Sequence, residues 1–127
     1  MIPKSTVKMR FGDFCFVPRD DGRFALFIYI CPQEKSRSYF HGALATSLVE
    51  VAQLDAVPSE IEIGEHALVH VQCFRENSTP ISGNLGGRLS QEVFSRVSKA
   101  VHSVEIGSKH RVWGHKTIVR YANTIQD

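Results

Sequence analysis

Six histidines are the residues of this chain best suited to chemistry near neutral pH: His41, His66, His70, His102, His110 and His115. Imidazole both titrates there and binds transition metals, so spacing decides what six of them can do. His66 and His70 stand four apart in a stretch that reads as a strand. They would share a face there, but at about 13 Å separation, too far for two ligands of one ion. His110 and His115 would point to opposite faces of a regular strand. No cysteine pair has C-x-x-C spacing, the usual mark of a thiolate metal site. The spacing predicts no metal site, and nothing implies a cofactor.

A second chemistry needs imidazole beside fixed cations. In RNA cleavage, histidine serves as acid and base while arginine or lysine holds the phosphate. His110, Arg111, His115, Lys116 and Arg120 cluster near the C-terminus, with Trp113 and Tyr121 among them. Those rings suit base stacking, and equally a core or an interface anchor. The competing reading of the cations is a solvated hairpin face. Gly83–Ser90 is a glycine-rich run before a helix, and such loops can turn N–H groups toward a phosphate. The Lys-Ser/Thr ending of a phosphate-binding loop is missing, so a glycine-rich lead into a capped helix is the better account. No serine, cysteine or carboxylate pair forms a catalytic constellation.

Charge is distributed in blocks. The net charge of +2 selects no partner by itself. Residues 38–74, however, contain no Lys or Arg and five acids: Glu50, Asp55, Glu60, Glu62 and Glu65. The flanking segments are mildly basic. One negative face built from these acids would steer a basic partner at long range. The alternative is a solvated surface with its charges scattered in space.

The elements that must position these groups are mostly strands. Phe14–Val17 is a short run of β-formers ended by Pro18, and Asp20-Asp21-Gly22 supplies a turn. Phe24–Cys31 comes next, eight residues without a charge. Phe24, Leu26, Ile28 and Ile30 would occupy one face and Ala25, Phe27, Tyr29 and Cys31 the other. Both faces are apolar, which predicts a central strand covered on each side. Arg37–Ala45 reads as a third strand, anchored by Tyr39 and Phe40. Thr46–Leu54 fits a short helix or a strand, and Pro58-Ser59-Glu60 a turn. Glu65–Arg75 is a strong strand and Glu76–Arg88 a loop. Gln91–Val101 is the best helix, capped by Ser90, with Glu92 at its positive end and Val93, Val97, Ala100 and Val101 as its buried stripe. Val104–Ile106, a Gly107-Ser108 turn and Arg111–Tyr121 read as a closing hairpin, with Gly114 as a bulge. The sum is one α+β domain of 127 residues: a mainly antiparallel, strongly curved or barrel-like sheet with one or two packed helices.

Two of these segments carry a family resemblance. Gly12, Asp13, Phe14, Phe16, Pro18, Asp21, Gly22, Arg23, Phe24 and Ala25 keep the order of the opening of the immunity protein 26 family, from bacterial polymorphic-toxin systems. Ile81-Ser82-Gly83-Asn84-Leu85, after the apolar run Ala67–Phe74, resembles the family's later Ile-x-Gly-Asn-Leu. The family often has a tryptophan shortly before that isoleucine, where Thr79-Pro80 stands here. The resemblance covers the first third and the middle of the chain. It implies a non-enzymatic immunity protein of contact-dependent growth inhibition, whose partner is a cognate toxin domain, most simply a nuclease. The expected partner-binding residues are the acids Glu50, Asp55, Glu60, Glu62 and Glu65, with Tyr39 and Trp113 as exposed aromatic anchors. A small barrel opening on Gly-Asp also resembles the RNA-cleaving toxins of toxin–antitoxin pairs, which is the alternative reading.

Cysteine usage and hydropathy agree with a cytoplasmic protein. Cys15, Cys31 and Cys73 are odd in number and lie in apolar runs, the pattern of buried reduced thiols. No uninterrupted apolar stretch has the length of a membrane span. The N-terminus is basic but lacks the apolar segment of an export signal. Asn77-Ser78-Thr79 is a glycosylation sequon without meaning in that setting.

Overall fold

The strand Phe24–Gln33 (β2) lies at the centre because both its faces are apolar and both find cover. The computed structural model describes residues 10–33, 36–70, 82–102 and 112–126. β1 (Asp13–Pro18) and β3 (Ser36–Val49) flank β2 antiparallel, β4 (Ile63–His70) lies beside β3, and two-residue strands close the edges: β5 (Gly83–Asn84) and β6 (Val112–Trp113). The order is β5-β1-β2-β3-β4-β6. The named strands pair antiparallel except β4 with β6, and an isolated parallel bridge joins Ile61 to Leu89.

Two helices complete the α+β fold, α1 (Gln91–His102) and α2 (His115–Thr124). Leu26, Ile28 and Ile30 of β2 pack with Ala43, Ala45 and, from α1, Val93 and Val97. On the opposite face Ala25 and Phe27 pack with Phe40, Leu44, Trp113 and, from α2, Ile118 and Ala122. Each helix therefore dries one face of the sheet.

Four expectations change. The sheet is neither closed nor strongly curled; with a helix on each face, its apolar surface is covered by other layers. Arg111–Tyr121 is not a long strand, because after Trp113 the chain turns at Gly114 into α2. Gly114 is the N-cap of that helix, with extended φ −92° and ψ 177°, and its carbonyl accepts the Ile118 N–H at 3.0 Å. Thr46–Leu54 resolves as strand to Val49, bends, and ends in a 3-10 turn at Leu54–Ala56. Cys31 joins the cluster of Leu26 and Ile30 rather than that of Phe27, since the register slips between Tyr29 and Cys31 and a slip reverses the facing of the residues beyond it. Val71–Phe74, the Val104–Ile106 strand, its turn, His110 and Arg111 lie outside the described residues.

The β1–β2 turn is tied to the far end of the chain. The Arg19 guanidinium donates from Nη1 to the Ile125 carbonyl at 2.8 Å, just beyond the C-terminus of α2, where a cation is favoured by the helix dipole. Asp20 N–H donates to Asn123 Oδ1 at 2.8 Å. The Arg23 backbone N–H, helped by the Arg23 and Arg19 side chains, holds the Asp21 carboxyl down to about 2 from an ordinary 3.8. A lowered pKa stabilises above the unfolded value and is lost as pH falls through about 2.

Cys15 and Cys31 are free and buried. Burial pushes their thiols up from 9.0, to about 12 for Cys15 and about 11 for Cys31. Thiolate is the reactive form, so at pH 8 an aromatic disulfide reagent is expected to leave both unmodified in the native protein and label both after denaturation. Labelling of either at the unfolded rate would contradict the packing. A raised folded pKa also means that this contribution is intact below pH 9 and is lost progressively above it.

Candidate partner-binding surface

The two family-like segments, some seventy residues apart, meet in one hydrogen-bonded knot. β1 and β5 pair Asp13 with Asn84 and Phe14 with Gly83. The Asn84 amide donates from Nδ2 to Asp13 Oδ1 at 2.8 Å and to the Phe11 carbonyl at 3.0 Å. Its Oδ1 accepts the Gly86 N–H at 2.7 Å. Asp13, 6% exposed, also accepts the Arg10 N–H at 2.7 Å. Leu85 N–H donates to the Gly12 carbonyl at 2.9 Å and Ser82 N–H to the Phe14 carbonyl at 2.8 Å. Gly12 has φ +89°, and a Cβ there would lie 3.3 Å from Asn84 Oδ1. The Gly-Asp and Gly-Asn pairs are therefore a structural staple: a glycine for positive φ, a buried carboxylate and the amide that satisfies it.

The acids lie on the connection from β3 to β4. Val57 and Ile61 are buried in the cluster on the α1 face and peg this segment down. Thr46 N–H donates to the Glu62 carbonyl at 2.9 Å, and Ile61 N–H to the Arg88 carbonyl at 2.8 Å. With those anchors buried, Glu50, Asp55, Glu60 and Glu62 are left exposed on one connecting segment. Between them stand Val51 and Leu54, 47% and 40% exposed. The sequence pattern leaves Thr46–Leu54 open between a short helix and a strand; the bend after Val49 turns both residues outward. Their signal was the weak periodicity of Thr46–Leu54 itself.

Other expected site residues fall elsewhere. Glu65 belongs to β4. Tyr39 is half-buried at the far end of β3, seven residues along the strand from Thr46, which bonds Glu62, and so about 23 Å from the near end of the acidic segment. Trp113 is 2% exposed, which corrects the expectation of an exposed anchor: its ring stacks at 36° and 5.3 Å on Tyr121, inside the cluster on the α2 face. The same burial removes it as a base-stacking platform. Lys116 and Arg120 are exposed on α2, with the Arg120 guanidinium 5.6 Å from the Tyr121 ring centre. They occupy a helix rather than the expected hairpin, on the layer opposite the one that pegs the acids.

His41 is buried in β3 and pairs with Leu68 and Cys31 in register. Among the described residues, no three His, Cys, Asp or Glu side chains gather as a metal site would require. No described helix is long and apolar enough to cross a membrane. The Gly83–Ser90 run becomes β5 and a 3-10 turn at Gly86–Arg88, and the Ser90 hydroxyl oxygen accepts the Glu92 N–H at 3.1 Å as cap of α1. Compared with known proteins, the chain matches no family model, no curated protein and no solved structure.

Proposed function

We propose that this chain is a cytoplasmic immunity protein that binds and neutralises a cognate bacterial toxin domain, a nuclease in the simplest case, by covering its active site. It performs no catalysis of its own. The observation that carries the reading is the staple. The two segments that resemble the immunity protein 26 family are brought together by Asp13 and Asn84, as expected of motif residues that share one structural task.

The binding surface in this reading is the segment from Glu50 to Glu62. A nuclease cleft is built to hold phosphate and is basic, so an acidic partner approaches it along a favourable field. The exposed Val51 and Leu54 would then supply the desolvated centre that charges alone lack.

Charge reversal tests the surface. Glu60→Lys with Glu62→Lys is expected to slow association with the toxin domain roughly tenfold at low salt and to flatten its salt dependence. Both side chains are exposed, so the fold should tolerate the change. Stopped-flow association at two ionic strengths reads the outcome. Unchanged rates would remove this segment from the interface.

A further inference from the structure

Between the sheet and α2 lies a groove with a volume of about 300 Å³. Leu44, Ala45 and Trp113, all buried, are its deepest residues. Thr46 of β3 and Gly64 of β4 border it from the sheet. Tyr121 and Thr124 of α2, with Ile125 and Gln126 after it, border it from the helix.

Gly64 is the residue that packing leaves unexplained. The β3–β4 register sets Ala43 against His66 and Ala45 against Ile63, so β4 carries one extra residue there, at Gly64-Glu65. A bulge needs glycine where φ is positive, and Gly64 does not have positive φ. Nor does crowding require it. A Cβ at Gly64 would lie 3.6 Å from the Leu44 carbonyl oxygen and 3.7 Å from Thr46 Cγ2, both ordinary contacts. A glycine that neither backbone nor packing demands weakens its strand. Such a glycine often marks a place where a ligand approaches the backbone closely, and here that place is the groove.

The lining selects the occupant. None of its nine residues is Lys, Arg, His, Asp or Glu. The Thr46 hydroxyl donates to the Glu62 carbonyl at 3.4 Å and the Thr124 hydroxyl to the Tyr121 carbonyl at 2.7 Å, so both protons are engaged. A charged occupant would lose water and gain no counter-charge, whereas an apolar one gains by burial. Size narrows the choice further. An apolar cavity of about half this volume holds benzene, so one ring with a short substituent fits. The helix side is set in advance, because Arg19 Nη1 holds the Ile125 carbonyl at 2.8 Å and Asp20 N–H holds Asn123 Oδ1 at 2.8 Å. A ligand need not order that side on binding.

We propose that this groove is a binding site for a small uncharged molecule built on a single apolar ring. The site goes beyond the immunity reading and does not rest on it.

Trp113 is the sole tryptophan of the chain, so its fluorescence reads occupancy of the groove. The full chain is titrated with benzyl alcohol, and separately with benzoate and benzylamine, which have the same ring and opposite charges. The expected result is a saturable change in emission with benzyl alcohol alone. Gly64→Val fills the groove and is expected to abolish the response. Its thermal melt is expected to stay at or above that of the parent, since a β-branched residue replaces glycine in a strand. Gly64→Ala, the milder filling, is expected to weaken binding. Gly87→Ala, where a Cβ meets nothing within 4 Å, is expected to leave it unchanged. No saturation with benzyl alcohol, an equal response to either charged probe, or full binding by folded Gly64→Val would overturn the assignment. A groove that ignores all three probes, while Gly64→Val abolishes binding of the toxin domain, would belong to a side chain of the partner and would overturn it too.

Discussion

Replacing Asn84 with alanine is expected to destabilise the fold by about 3 kcal/mol and to lower its melting temperature by roughly 10 °C. The Asn84 amide makes three hydrogen bonds, to Asp13 Oδ1, the Phe11 carbonyl and the Gly86 N–H. A neutral hydrogen bond contributes about 1 kcal/mol net, and one to a charged group about 1.5–3. The substitution also leaves the buried Asp13 carboxylate with one donor fewer, and such a group keeps most of its desolvation cost. Asn84→Asp separates shape from donor capacity. It preserves volume but sets a second carboxylate 2.8 Å from the first. Two carboxylates that close hold a proton above the ordinary range in the folded state. A raised folded pKa stabilises below the unfolded pKa, so the Asn84→Asp deficit is expected to shrink as pH falls toward 4, whereas the Asn84→Ala deficit has no such cause to recover. Thermal melts of both variants across pH 4–8 check this. A fully stable Asn84→Ala protein would mean that the staple is ornamental.

The second large effect is expected at Gly42. A Cβ built there would lie 2.4 Å from Phe27 Cζ and 3.0 Å from Cε1, inside van der Waals contact. Phe27 is 2% exposed, and its ring packs edge-on against Phe40 at 6.2 Å, so it has no free volume to enter. Gly42→Ala is expected to destabilise by about 2 kcal/mol, within the range for overpacked cores. The sign is the informative part. On backbone entropy alone, alanine in a strand should stabilise by roughly 0.5–1 kcal/mol over glycine. Phe27→Leu shortens the obstructing side chain, so the double variant is expected to be more stable than the sum of the single changes implies. A double-mutant cycle in urea measures that coupling. Simple additivity would show that the ring is not what requires a glycine.

How much of this was legible depends on whether local pattern and tertiary demand agreed. β2 was readable because an eight-residue uncharged run has both faces to bury. α1 was readable because its cap, acidic first turn and Val93–Val97 stripe agree. α2 was missed. Val112, Trp113, Ile118, Val119 and Tyr121 are β-formers, and their propensity suggested a strand. The overlooked signal was period: Ile118, Tyr121, Ala122 and Ile125 stand at i, i+3, i+4 and i+7, and all four pack into one cluster. Gly114 was ambiguous in sequence, since the same residue serves a bulge or a cap.

The candidate surface was half legible. Charge segregation marked Glu50 to Glu65; the structure places Glu50, Asp55, Glu60 and Glu62 on one anchored segment and Glu65 in β4. It could not show that Val51 and Leu54 would turn outward, because that depends on where β3 ends. Nor could it place Trp113 in the core, since an aromatic among cations looks the same in sequence whether it faces solvent or a helix.

The most direct test of the immunity reading is growth rescue. The protein is expressed in cells that produce the toxic C-terminal domain encoded immediately upstream of its own gene. The expected result is restored growth together with co-purification of the two proteins, both weakened when Glu60 and Glu62 are reversed. Failure to rescue with the protein folded and abundant, or toxicity from this protein alone, would contradict immunity and turn attention to the cations of α2 and to RNA cleavage.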